Sequence, residues 1–435
     1  MAITMRSTCS RRVLSGVMVA VGVSLATCTA AEPAPPADSP LRDHVPQPGT
    51  FPPPAAGIDM GGELITYDPI KRIGTLRRDG DFVFRDVVFR FALLPYAEVY
   101  FHGSPAELQD VPPGTRLRGR FLRPPEGDTR IPAPAATDKD TPRHSHALIL
   151  EDDFSHAARR GAAWKVTGID LSNVGGVPYK GVLSVESTAA GSDGKPEVLK
   201  LDVSRASRIW KAGGGLAELE ELAPGQIVQL NLDWAPDWKN GGFHCIDIWL
   251  DEESQRAATE RQRRVHVRKL FYFWPAGWID HVEHQPGGRG IVTLTLFGGI
   301  DKEKVEEALR WMVGRADQKG WFYIFPADSS RMTWRNAEDK VHATLLEIRD
   351  IPDPPVGHSG LQIRIQIEHP LLDGFRPGRI VLIKPNNWPI NVIPPGERQS
   401  KWNRLEADAG FLLDGRPESS AAEKSTEPVT GGGRK

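Results

Sequence analysis

The decapeptide Leu108-Gln109-Asp110-Val111-Pro112-Pro113-Gly114-Thr115-Arg116-Leu117 sets the architecture, because the chain writes it again as Leu219-Glu220-Glu221-Leu222-Ala223-Pro224-Gly225-Gln226-Ile227-Val228. A third version is Leu372-Asp373-Gly374-Phe375-Arg376-Pro377-Gly378-Arg379-Ile380-Val381. The shared pattern is Leu-x-x-apolar-x-Pro-Gly-x-x-apolar. Its physical content is one helical turn that buries positions i and i+3, a stop at Pro-Gly suited to a type II turn, and then a strand. The first two copies extend upstream through Ala106-Glu107 and Ala217-Glu218, preceded by Gly103 and Gly214 and by a run containing Tyr100 or Trp210. In copy one, Ser104-Pro105-Ala106-Glu107 predicts a cap, a proline at the first helical position and a glutamate at the third.

Around these turns the dominant period is two. Leu361 to Ile367, Ile291 to Phe297 and Glu197 to Val203 alternate apolar and polar residues, as half-buried antiparallel strands do. Asp79-Gly80, Ser192-Asp193-Gly194, Asn240-Gly241-Gly242 and Pro286-Gly287-Gly288 supply hairpin turns between such runs. Helical patterns are few. Asp301 can cap a helix to about Gly314 with Val305, Leu309 and Met312 on one stripe, and Asp251 can cap another from Glu252 to about Arg264. The basic run Arg261, Arg263, Arg264, His266, Arg268 and Lys269 reads as a solvated helix end, with an anion-binding patch as the alternative.

A short helix, a Pro-Gly turn and a strand in that order resemble the closing part of small β-barrels of the OB or SH3-like kind. The resemblance implies a mainly β chain of three related antiparallel β-barrel-like modules with a few short helices, with β-sandwich repeats as the alternative. The repeat and linker compositions predict a first module at 57–122, a polar linker at 123–145, a second module at 146–269 and a third at 270–400. A disordered tail is expected over 401–435.

The leader reads as an address. Arg6, Arg11 and Arg12 precede a mostly apolar run from Val13 to Ala26, shorter than the ~20 residues a spanning helix needs. Residues 1–28 are therefore expected to be an export signal. Leu25-Ala26-Thr27-Cys28 resembles the lipobox of bacterial lipoproteins, which implies acylation of Cys28; cleavage near Ala30 or Ala31 is the competing reading. Residues 29–56, rich in Pro and Ala, read as an extended spacer. The expected location is the periplasm, cell envelope or exterior, and the whole resembles an exported bacterial β-repeat protein, a likeness that carries no activity.

Charge is nearly balanced, 54 Lys plus Arg against 56 Asp plus Glu for a formal net charge of -2, which disfavours nucleic acid as a partner. Membrane contact is expected only through the leader or a lipid anchor. With Cys9 and Cys28 in the leader, Cys245 stands alone in an apolar strand-like run and reads as a buried thiol.

No motif names a reaction, and the sequence calls for no cofactor. Nine of the twelve Trp fall between Trp210 and Trp334, so Trp234, Trp238, Trp274 and Trp278, set beside Pro and Gly, are candidates for an exposed ligand platform. Filling of a contact between modules is the alternative. Asp280-His281-Val282-Glu283-His284 is the best metal-like cluster; Asp280, His281 and His284, with His244 from elsewhere, would be the ligands of a metal-dependent envelope hydrolase. The preferred expectation is non-enzymatic: an envelope binding or scaffold protein whose partner is a polymer or another protein.

Overall fold

The computed structural model describes residues 36–79, 88–135, 143–171, 179–190, 194–234, 243–270, 275–313, 321–326, 341–368 and 374–385. The expected signal at 1–28 with Cys28, and the tail at 401–435, lie outside the described residues.

The chain is mainly β and forms three barrels in series. The first contains β1 (Ile58–Asp68), β2 (Ile73–Arg78), β3 (Val88–Phe101), the two-residue β4 (Ser104–Pro105), β5 (Arg116–Leu122) and β6 (His146–Asp152). Its ring runs β2-β1-β5-β6-β3 and closes through β2–β3, with a single parallel contact, β3–β6. The second barrel contains β7 (Trp164–Asp170), β8 (Tyr179–Ala190), β9 (Pro196–Trp210), β10 (Ile227–Trp234) and β11 (Phe243–Trp249), closed in the order β10-β11-β9-β8-β7. Its one parallel contact is again between third and fifth strands, β9–β11. Both rings thus share one strand order with third and fifth strands parallel, and they are small β-barrels rather than β-sandwich repeats because the sheets close on themselves.

The third barrel holds β12 (Ala276–Gln285), β13 (Arg289–Phe297), β14 (Trp321–Pro326), β15 (Val341–Asp350), β16 (His358–Glu368) and β17 (Ile380–Pro385), in the closed order β12-β13-β16-β15-β14-β17. All its contacts are antiparallel. Here β12, β13, β16 and β17 occupy the places of strands one to four. The hairpin-like pair β14–β15, inserted after α3 (Lys302–Val313), fills the gap that a parallel fifth strand fills in the other two.

The threefold repeat is structural down to single bonds. Gly114, Gly225 and Gly378 all have positive φ, of 90°, 92° and 79°. Their N–H groups donate to Leu64, Val166 and Ile279 on the first strand of each barrel at 2.7, 2.7 and 2.8 Å. The same three first-strand residues donate back to Thr115, Gln226 and Arg379. Register agrees as well: Gly62 pairs with Leu117, Trp164 with Val228 and Gly277 with Val381. Just beyond the anchored residue every first strand carries a bulge, at Leu64/Thr66, Val166/Gly168 and Ile279/His281. A bulge there bends the strand so that it can serve two curved neighbours and close the ring. Leu108, Leu219, Leu117, Val228 and Val381 are fully buried, as the repeat pattern requires.

Several boundaries move. The strand that closes the first barrel, β6, lies beyond the expected linker, so that barrel spans 58–152 and the second begins at Trp164. Loop closure over a long excursion costs little more than over a short one, and the described part of that excursion is tied down: Ile131 is buried and Asp128 pairs with His146 at 2.9 Å. Part of the expected spacer is also packed. Ala56 is fully buried, the Arg42 carbonyl is 2.7 Å from His144 Nε2, and Phe51 packs at a tilt against Trp278. In copy one the helical turn is capped by Glu107, whose N–H donates to Asp110, whereas Ser104-Pro105 pairs with β3 as β4.

Two helices follow the fifth strands by the same device. Asp152 accepts from the Ser155 N–H at the start of α1 (Asp153–Arg159), and Asp251 accepts from the Ser254 N–H at the start of α2 (Glu252–Leu270). α2 runs six residues past the expected end at Arg264. Its buried stripe is Ser254, Ala258, Gln262, His266 and Leu270, at spacing four, so the expected solvated end is instead wedged between barrels. α3 starts at its expected cap, with Asp301 accepting from Lys304 N–H and Val305 and Leu309 in the third barrel's core.

Candidate cleft between the first and second barrels

The junction of barrels one and two is a polar, largely dehydrated network. Asp152, fully buried, accepts from His102 N–H at 3.1 Å, Ser155 N–H at 2.9 Å and Asn231 Nδ2 at 2.9 Å. Burial outweighs those bonds and pushes its carboxyl up to about 6. Asp153 beside it accepts from Arg116 at 2.5 Å, Arg118 at 2.8 Å and the Leu232 N–H of the second barrel. Asn231 accepts the Phe154 N–H with its other end. One strand end of barrel one is thereby locked to β10 of barrel two.

Above this floor opens a cleft of about 520 Å³. One wall is Phe101-His102 and the Pro112-Pro113-Gly114 turn of barrel one; the other is β9, β10 and β11 of barrel two; the N-terminal half of α2 closes the back. Three side chains define its chemistry. Trp210 is held edge-on by its Nε1–H, which donates to Asp247 at 2.7 Å, and the Arg208 guanidinium lies 5.5 Å over its ring while pairing with the same carboxylate. His102 sits at φ 52°, a conformation few non-glycine residues adopt, stacked 3.7 Å from Phe101 and edge-on to Trp249. Burial holds its imidazole down to about 4, so it is neutral at pH 7, and no hydrogen bond among the described residues occupies its ring nitrogens. Arg261 projects from α2 with neither an ion pair nor a hydrogen bond among the described residues. Backbone strain of this kind collects at ligand clamps, and it is observed here at the lip of the cleft.

The residues singled out by sequence fall elsewhere. Trp278 is 3 % exposed, packed 4.4 Å from Phe51, 5.4 Å from Tyr96 and 5.2 Å from Phe297. It fills the contact between barrels one and three and offers no platform. Trp234 ends β10; Trp238 and Trp274 lie outside the described residues.

The metal cluster does not assemble. Among the described residues no group of three His, Cys, Asp or Glu side chains is placed to hold a metal ion. The bulge between Ile279 and His281 upsets the expected alternation, so Asp280 turns to Thr295 and Gln362, at 2.8 and 3.0 Å. His281 and His284 are exposed, and His244 belongs to β11 in another barrel. Cys245 is fully buried in the second core, with its thiol pushed well above the ordinary range by burial, which makes it inert.

Sequence reasoning missed His102, Arg208 and Asp247, and it touched Arg261 only as the start of the basic run for which a solvated helix end was preferred to an anion-binding patch. The signal available was Trp210 inside the repeat's upstream run; what joins it to the others is the packing of one barrel on the next. Comparison with family models, curated proteins and solved structures returned no match.

Proposed function

We propose that the protein is an exported, non-enzymatic binding or scaffold component of the cell envelope, and that its ligand seats in the cleft between the first two barrels. The cleft carries this reading: a fixed indole, a neutral imidazole and a guanidinium unpaired among the described residues line one opening between two barrels, the usual setting of a ligand site. The basic leader and its lipobox-like ending support export, and the serial barrels suit an elongated partner such as an envelope polymer or a protein. Co-sedimentation of the chain with isolated envelope fractions tests the reading. Retention that Trp210→Ala abolishes, while its melting profile shows the barrels intact, is the expected result; equal retention of both would overturn the cleft as the site.

A further inference from the structure

The chemistry of the cleft narrows its ligand, an inference that rests on the binding reading above. We propose that it takes an acidic saccharide, with a pyranose ring against Trp210 and a carboxylate on Arg261.

Charge points to an anion. The lining carries three cations, Arg208, Lys211 and Arg261, against two carboxylates, Asp233 and Asp247. Asp247 is committed on both oxygens, to Trp210 and Arg208, and Lys211 pairs with Glu221. Arg261 is the cation with no protein counter-charge among the described residues. A guanidinium in a partly dehydrated cleft is matched by a planar carboxylate, which it can bind through two parallel N–H bonds.

Shape points to a ring. Trp210 is pinned along one edge by the bond to Asp247 and packs on the Phe154, Trp249 and Ala258 cluster, so its orientation is set before any ligand arrives. A preset aromatic wall with hydrogen-bonding groups beside it suits a ligand with an apolar face and a polar rim. Sugars have both, and the open ring nitrogens of neutral His102 can donate to or accept from hydroxyls. A peptide would find less here. The strands lining the cleft belong to closed barrels, which leave no free edge for an added strand.

The test is calorimetric titration of the full chain with three probes of equal length: a hexamer of galacturonic acid, a neutral galactose hexamer and hexaglutamate. The uronate should bind, with the neutral sugar and the peptide at least about tenfold weaker. Arg261→Gln should weaken the uronate by about tenfold and leave the neutral sugar unchanged, a loss typical of one charge-assisted contact. Arg261 has no hydrogen bond or ion pair among the described residues, so the variant should fold as the parent does. Equal binding of acidic and neutral sugars, tighter binding of hexaglutamate, or an unchanged Arg261→Gln would overturn the assignment while leaving the cleft as a site. Binding of no probe would overturn it as well; in that case envelope retention lost in Trp210→Ala would still uphold the cleft, and retention kept would remove both readings.

Discussion

Two buried residues give the molecule opposed responses to acid. Asp152 has a folded value near 6 against an ordinary 3.8, so the folded state takes up its proton first; its share of stability rises as pH falls from about 6 to about 4. His266, fully buried on α2 with neither ring nitrogen hydrogen-bonded, is held down to about 4 from 6.5 by burial. The unfolded chain therefore takes that proton first, and stability present above pH 6.5 is lost as pH falls toward 4. Each share is about 3 kcal/mol at ~1.4 kcal/mol per unit. His266→Leu should flatten the decline of melting temperature between pH 6.5 and 4, and Asp152→Asn should steepen it. Parallel slopes in both variants and the parent would contradict this placement of the two groups.

At the scale of elements, the repeated turn is the part most open to reading in sequence. Pro-Gly demands a left-handed glycine, and nothing lies within 4 Å of where a Cβ would stand at Gly114 or Gly225. Their replacement by Ala thus carries backbone strain alone, about 1–3 kcal/mol in each case, and the two variants should lower the thermal transition of their own barrel by similar amounts. A large difference between them would mean that the two turns are not equivalent. The alternating strands at 197–203, 291–297 and 361–367 were legible for the same reason: a half-buried strand writes its period directly. α2 was legible only in its first part. Its buried face holds Ser254, Gln262 and His266, polar residues where an apolar stripe would be expected, so no periodicity marks where it continues. β6 escaped because the excursion before it looked like a domain boundary. Trp210 and Arg261 belong to elements separated in sequence, and only their meeting at a barrel junction makes a site.

Among the described residues, barrel one meets its two neighbours through junctions of different kinds. Barrels one and two meet through the Asp152, Asp153, Arg116 and Asn231 network; barrels one and three meet through Phe51, Tyr96, Trp278 and Phe297, with Glu98 accepting the Gly357 N–H at 2.7 Å. Removing the indole in Trp278→Ala leaves a large void and should cost about 3–5 kcal/mol, loosening barrel three from barrel one while leaving the cleft untouched. Limited proteolysis that releases no third-barrel fragment from this variant would argue against that contact as the main tie.

A ligand seated in the cleft is held by two barrels at once. Hydrogen exchange of the chain, alone and bound to the envelope fraction that retains it, measures this most directly. Exchange should slow at 101–103 and 112–115 on one wall together with 206–214 on the other. Slowing confined to the surface of a single barrel would contradict it.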